Sequence, residues 1–434
     1  MSVDFIILAA GNSSRMNSSK PKFFHTIAGK PIIRYIIDTV KDCKISNNVI
    51  VVTKDNLKSS GYFSDVNVTI QHAPLGTADA VKSSLDKLTS EYTIILCGDM
   101  PLIETAQLNN LISNSSENAI IAMNLPSSLQ DMPYGRVIIN NGIFEKIVEY
   151  KNASKNEKSI RLANTGVYKI RTALLKKYIP MIKQNSQSGE FYLTDIFNFI
   201  KNVEIITTDN YEDFHGINTM SDLAIAENIM QNRLRTKFMS QGVNLIDPSS
   251  VYFSFDTTIY KDVTIEPNVF IGTCVSIGEK SIIHAFSHIY DCCIGECVQI
   301  GPFARIRGNS NFKSGVVIGN FVEVKGSSFD ENSKAKHLTY IGDTTIGKAS
   351  NIGAGTITCN YDGVKKHKST IGDNVFIGSN TTIISPITID NGAIVGAGSV
   401  ITKNVEENSL AIARAPQQNF QNKAPTIWEK KFHS

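Results

Sequence analysis

The 434-residue chain lacks any apolar run of the ~18 residues that a membrane-spanning helix needs, and no membrane segment is expected. It also lacks a charge imbalance: 43 Lys and Arg stand against 40 Asp and Glu, for a formal net charge of +3. Without a Lys/Arg block, general binding to nucleic acid or to a membrane surface is disfavoured. The seven cysteines are odd in number and scattered, which argues against a disulfide framework. Cys292, Cys293 and Cys297 come close together, but no second pair stands at a matching spacing, and buried thiols are expected rather than a zinc site. No secretory leader is expected either: Asp4 and the short apolar stretch after it read as a folded N-terminus, and a soluble cytoplasmic protein is expected. The length exceeds one ordinary core and implies at least two domains.

What is present begins at Phe5-Ile6-Ile7-Leu8, an apolar run of the kind that forms a buried parallel strand. Ala9-Ala10-Gly11 follow, then Asn12-Ser13-Ser14-Arg15-Met16 and Lys20-Pro21-Lys22. Small residues after a strand let backbone amides cradle phosphate oxygens, and Arg15 and Lys22 supply the positive charge that a polyphosphate needs. The stretch resembles the nucleotide-binding signature of sugar-phosphate nucleotidyltransferases, with Ser13 and Ser14 where Gly-x-Gly-Thr is usual.

Ile32 to Val40 reads as a helix, and Val49-Val52, Val68-Ile70 and Thr93-Leu96 as further buried strands. Alternating strands and helices predict a mostly parallel, doubly wound α/β sheet of Rossmann-like type, with ligands beyond the carboxyl ends of the strands. Gln71 and Leu75-Gly76-Thr77-Ala78 fall at such an end and suit the edge of a pyrimidine. Cys97-Gly98-Asp99 ends the next strand, where a carboxylate beside a phosphate cradle is placed for magnesium, and Asn218 offers a neutral second oxygen. Tyr134-Gly135-Arg136, Glu149 and Asn164-Thr165-Gly166 place polar groups at element ends, as a sugar requires.

Ser221-Asp222 is expected to cap a linker helix that Gly242 ends. Beyond Phe253 an aliphatic residue recurs every sixth position, from Ile259 through Ile289, again through Ile294, Ile300, Ile306, Phe312, Ile318 and Val324, then at Ile346 and Ile352, and finally through Ile371 to Ile401. That period predicts a parallel β-helix. Two interruptions, Lys334–Tyr340 and Asn360–Lys366, read as loops leaving the solenoid, where function concentrates. His337 in the first is a candidate general base, with Glu323 to orient it.

Together the pieces resemble the family of bacterial bifunctional N-acetylglucosamine-1-phosphate uridyltransferases / glucosamine-1-phosphate acetyltransferases. The resemblance implies domains at 1–220, 221–242 and 243–434, the last a left-handed β-helix of hexapeptide repeats. It implies UTP and UDP-sugar contacts from Leu8, Ala9, Gly11, Lys22, Gln71, Gly76, Thr77, Gly135, Glu149, Asn164 and Asn218, with Arg15 and Lys22 catalytic and Mg²⁺ on Asp99 and Asn218. It implies His337 as acetyltransferase base, glucosamine-phosphate contacts from Arg307, Lys325, Tyr340, Asn351 and Lys366, and acetyl-CoA contacts from Asn360, Tyr361, Ser379, Ala397 and Arg414. A homotrimer acting on small molecules is implied as well. Cys97 stands where the family often has tyrosine. Two other readings remain open on the residues alone: a single-activity nucleotidyltransferase whose β-helix serves assembly, and a non-enzymatic assembly protein.

Overall fold

A computed structural model describes every residue except Met1, Asn12, Ser13, Lys44, Gln187, His433 and Ser434. The chain divides into two compact units, Met1–Asn232 and Arg233–Ser434.

In the first unit seven strands form the main sheet, in the order Val203–Thr208, Asn118–Asn124, Leu162–Arg171, Tyr92–Cys97, Val3–Leu8, Ser46–Thr53 and Asn67–Ile70. Neighbours run parallel except Leu162–Arg171, which is antiparallel to both of its neighbours. The central strands are apolar on both faces because both are covered: Phe5 and Ile7 join one core cluster with the helix Ile32–Lys41, and Ile6 joins the other with the helix Thr77–Lys82. Val3–Leu8 pairs with Ser46–Thr53 on one side and Tyr92–Cys97 on the other, so Ala9 and Gly98 emerge side by side. The Gly98 amide donates to the Leu8 carbonyl at 2.8 Å. A hairpin of Arg136–Asn140 and Ile143–Val148 joins the sheet through Arg136 and Ala163.

The helix Met220–Ser240 starts earlier than expected. Thr219, not Ser221, caps it: the Thr219 hydroxyl accepts from the Asp222 amide at 3.1 Å, while the Asp222 carboxylate accepts from the Thr219 amide at 2.8 Å and the Asn218 amide at 2.9 Å. Gly242, at φ +88°, follows its end as expected.

The second unit is the predicted β-helix, a left-handed hexapeptide solenoid of one 10-stranded and two 8-stranded parallel sheets. Ile259, Ile265, Ile271 and their successors through Ile401 point inward and are buried. The first supposed interruption is no loop. After Val324 the inward positions pass to Phe329, Ala335, Ile341 and Ile346, all buried, with short strands at Lys334–His337 and Tyr340–Gly342. Five-residue steps at two corners, together with an alanine in an aliphatic slot, hid the rhythm. The second interruption is real: Thr358 takes an inward position, and the chain then leaves the coil until Ile371 as a small hairpin closed by Tyr361 and Lys366. Ile346 and Ile371 pair across neighbouring coils, and contacts there span 25 residues instead of the 17 or 18 of the coils just before and after.

Candidate active sites

In the first unit, the ends of strands Val3–Leu8 and Tyr92–Cys97 and the turn before the helix Met220–Ser240 bring four predicted residues together. Lys22 Nζ donates to Asp99 Oδ2 at 2.6 Å and to Asn218 Oδ1 at 3.1 Å. Arg15 Nη2 donates to the same Asn218 oxygen at 2.9 Å. The Ile217 amide bonds the Asp99 carbonyl at 2.9 Å, which ties the two oxygen donors to one another through the backbone. Lys22 is buried and Arg15 exposed, so one cation is fixed inside the site and the other guards its rim. Leu8 and Ala9 lie at the strand end, Gly11 is exposed just beyond, and Asn12 and Ser13 lie outside the described residues.

The next strand end holds the pyrimidine candidates. Gln71 is buried, and its amide nitrogen donates to the Gly76 carbonyl at 3.0 Å and to Asp79 Oδ2 at 2.8 Å. With the nitrogen so engaged, the acceptor end is the one to meet a ring N–H. Gly76 has φ +117°, and a Cβ there would lie 2.5 Å from the Phe191 carbonyl oxygen. Only glycine fits, because Leu75 and Ala78 both bond the Phe191 backbone and Thr77 Oγ1 accepts from the Leu193 amide at 2.9 Å. Beside Gln71 an open pocket of about 430 Å³ is lined by Ala10, Asn56, His72 and Pro74, among others.

On the far side of Cys97 lie the sugar candidates. The Gly135 carbonyl accepts from the Asn164 amide at 2.8 Å, and the Asn164 side chain donates to Tyr168 Oη at 2.7 Å. Glu149 accepts from Thr194 Oγ1 at 3.0 Å; burial pushes its carboxyl pKa up, a shift that the threonine hydroxyl opposes. Burial, and secondarily Asp99, pushes the Cys97 thiol up to about 12. Gly166 closes against Cys97 Sγ, where an added Cβ would sit at 3.5 Å.

In the second unit the outward faces of successive coils carry the chemistry. Arg307 and Lys325 are register neighbours on one sheet, as are Glu323 and Tyr340. Arg307 donates to Glu323 Oε1 at 2.8 and 2.5 Å. Lys325 is pushed down mainly by adjacent Lys366, then by burial and by the charges of Lys366 and Arg307, with Asp343 opposing. Three crowded cations mark a place that an anion would relieve.

His337 meets Asn320, not Glu323: Nδ1 lies 2.8 Å from Asn320 Oδ1. The expectation for Glu323 fails because Arg307 holds that carboxylate. A carboxamide oxygen only accepts, so Nδ1 is the donor in this contact and Nε2 is the ring nitrogen left for another partner. Asn351 lies on a different sheet from Arg307, in register with Lys334 and Phe376. Asn360 donates to Asp343 Oδ2 at 2.5 Å, and Tyr361 Oη donates to the Gly363 carbonyl at 2.7 Å inside the hairpin loop. Ser379 and Ala397 occupy adjacent coils beside Gly353 and Gly378, and Arg414 donates to the Ala397 carbonyl. Among the described residues no group of three His, Cys, Asp or Glu gathers as a metal cluster, all seven cysteines are free, and no helix is long and apolar enough to cross a membrane.

Sequence reasoning missed Asn320 and Thr194. Asn320 precedes His337 by 17 residues, one coil, and a continuous coil register was the signal that would have found it. Thr194 reaches Glu149 only through the tertiary fold and carries no local signal.

The fold and the two constellations define the class: a nucleotidyltransferase unit joined to a hexapeptide acyltransferase unit. The MobA-like NTP transferase domain family matches residues 5–165, and the bacterial transferase hexapeptide family matches residues 368–403. The chain is 39% identical to the bifunctional protein GlmU of Zymomonas mobilis, with 98% of this chain and 96% of the relative covered. It is 40% identical to that of Wolbachia pipientis wMel, covering 95% and 97%, and 41% identical to that of Thermosipho africanus, covering 95% of each. The chain belongs to the bifunctional GlmU family. It is accordingly an enzyme of UDP-N-acetylglucosamine synthesis with two activities, glucosamine-1-phosphate N-acetyltransferase and N-acetylglucosamine-1-phosphate uridylyltransferase.

Proposed function

We propose that the uridylyl reaction is carried by the cluster in which Lys22 bonds both Asp99 and Asn218, and the acetyl reaction by His337, bonded to Asn320, together with the Arg307, Lys325 and Lys366 cations. The first of these observations carries the reading. An anionic oxygen and a neutral amide oxygen surround one ammonium, and such a hard-oxygen donor set also fits Mg²⁺. Asp99 and Asn218 would hold the ion, which when bound neutralises triphosphate charge.

Lys22 and Arg15 grip the phosphates together with the backbone of Leu8, Ala9 and Gly11. Gln71, Gly76 and Thr77 read uracil, and Gly135, Glu149 and Asn164 hold N-acetylglucosamine. The sugar phosphate oxygen attacks the α-phosphorus of UTP in line, the bond to the β-phosphate oxygen breaks, and pyrophosphate leaves. In the other half, Arg307, Lys325 and Lys366 take the phosphate of glucosamine 1-phosphate, with Tyr340 and Asn351 on the sugar. His337 Nε2 removes a proton from the attacking amine; the nitrogen bonds to the thioester carbonyl carbon, and coenzyme A departs as the carbon–sulfur bond breaks. Asn360, Tyr361, Ser379, Ala397 and Arg414 hold acetyl-CoA. Acetyl transfer comes first, on domains bounded at 1–220, 221–242 and 243–434, in a cytoplasmic homotrimer.

The test follows thiol and pyrophosphate release separately. Asp99→Ala abolishes pyrophosphate release from UTP and N-acetylglucosamine 1-phosphate while thiol release continues, and His337→Ala does the reverse. Loss of both activities in either folded variant rejects independent sites.

A further inference from the structure

Arginine is almost never fully buried unless it is paired, yet Arg136 has no exposed surface at all. Its guanidinium is satisfied by main-chain carbonyls. Nη1 donates to Tyr134, Nη2 donates to Gln130 at 2.5 Å and to Met132 at 3.2 Å, and Nε donates to Lys158 at 3.4 Å. Its face lies over the Tyr150 ring, 5.0 Å from the centroid, and the Lys158 ammonium sits over the same ring at 4.9 Å. One side chain therefore ties together the loop 130–134, the short helix beginning at Tyr150 and the end of the helix Lys155–Lys158.

Two of the proposed sugar contacts adjoin these tied segments. Gly135 lies between the Tyr134 carbonyl and Arg136 itself, and Glu149 immediately precedes Tyr150. Gly135 immediately precedes the strand Arg136–Asn140 and is buried against Ile147, Val148 and Asn164, so its position follows that of Arg136. The Gly135 carbonyl in turn holds the Asn164 amide, which brings in the third proposed contact. The planar fork of donors suits this work, because it fixes several carbonyls at once in a set geometry, whereas an ammonium is a point charge on a flexible stem.

We infer that Arg136 is a positioning residue for the amino-sugar end of the uridylyl site, acting through the carbonyls of Gln130, Met132 and Tyr134 and through Tyr150 without touching substrate. The inference rests on the assignment of Gly135, Glu149 and Asn164 as sugar contacts. Its signature is selective for one substrate: the KM for N-acetylglucosamine 1-phosphate depends on Arg136, and the KM for UTP does not.

The experiment uses the full chain and steady-state pyrophosphate release with each substrate varied in turn. Arg136→Lys raises the sugar-phosphate KM about tenfold, with the UTP KM within about twofold. Acetyl transfer, on the other unit, is unchanged, and the retained UTP KM reports that the nucleotidyltransferase unit is intact. Equal rises in both KM values, or no rise in either, overturn the inference. Glu149→Gln, measured beside it, separates the two readings. If Glu149→Gln leaves the sugar-phosphate KM unchanged while Arg136→Lys raises it, the assignment of Glu149 fails and the role of Arg136 stands. The opposite pattern overturns the role of Arg136. If Arg136→Lys melts the nucleotidyltransferase unit, Tyr150→Leu supplies the test: it removes the ring under the guanidinium and raises the same KM, and an unchanged value overturns the inference.

Discussion

Cys97 shows how a single residue's surroundings set its behaviour. It ends the strand that delivers Asp99, and burial holds its thiol up at about 12, so it stays protonated through the neutral range. The thiolate is the reactive form, whereas Cys293 and Cys297 lie exposed on the second unit. Brief treatment with iodoacetamide at mildly alkaline pH should label Cys293 and Cys297 and spare Cys97, leaving uridylyl transfer intact; peptide mass spectrometry checks it, and early labelling of Cys97 refutes it. At this scale the cluster of Arg15, Lys22, Asp99 and Asn218 was legible because each residue ends a strand or opens a recognisable turn. The partner of His337 was not. Glu323 has the chemistry to orient a histidine, but Arg307 lies diagonally across from it on the preceding coil, in register with Lys325, and takes the carboxylate. Competition between partners is a tertiary fact that spacing alone does not carry.

Elements add a second kind of constraint, seen where coils stack. A Cβ on Gly319 would lie 1.8 Å from the Lys336 carbonyl oxygen, which is backbone and cannot step aside. Gly319→Ala should therefore push apart the two coils that carry Asn320 and His337, at a cost of about 1–3 kcal/mol. Acetyl transfer should fall sharply and uridylyl transfer persist, as separate thiol and pyrophosphate assays would show. The short helix Lys155–Lys158 gives a pH-dependent case. Ser154 and Glu157 form a reciprocal capping box, and the Ser154 amide and hydroxyl, with Lys146, lower Glu157 to about 2. A depressed carboxyl stabilises the fold above its unfolded value and loses that contribution as pH falls through about 2. Acid titration of melting should show a step in that window that Glu157→Gln removes; an identical profile in the variant would contradict the cap. The hexapeptide rhythm was the most legible feature at this scale. It failed only where five-residue corners and Ala335 broke the count, which turned a continuous coil into an apparent loop.

Assembly is the whole-molecule question, and the second unit bears on it. Phe286, Phe303 and Phe321 occupy the same corner of successive coils, with φ of +60°, +55° and +55°. Their rings stack at 4.9 and 5.1 Å, yet each is about half exposed. A left-handed corner suits asparagine far better than phenylalanine, and Asn268 and Asn380 hold this corner in other coils. Covering such a ladder against another copy would remove apolar surface from water, at roughly 25 cal/mol per Å². The proposed trimer then has a consequence that needs no variant. In sedimentation the particle should weigh three times 47.7 kDa. If the acetyl-transfer site is shared between copies of that trimer, its rate per chain should fall on dilution in step with that mass, while the uridylyl rate per chain stays constant. Phe303→Asn with Phe321→Asn should move dissociation to higher concentration and leave the coils folded, since asparagine already serves that corner. If the dissociated chain keeps its full acetyl-transfer rate, the site lies within one subunit and the ladder has another purpose.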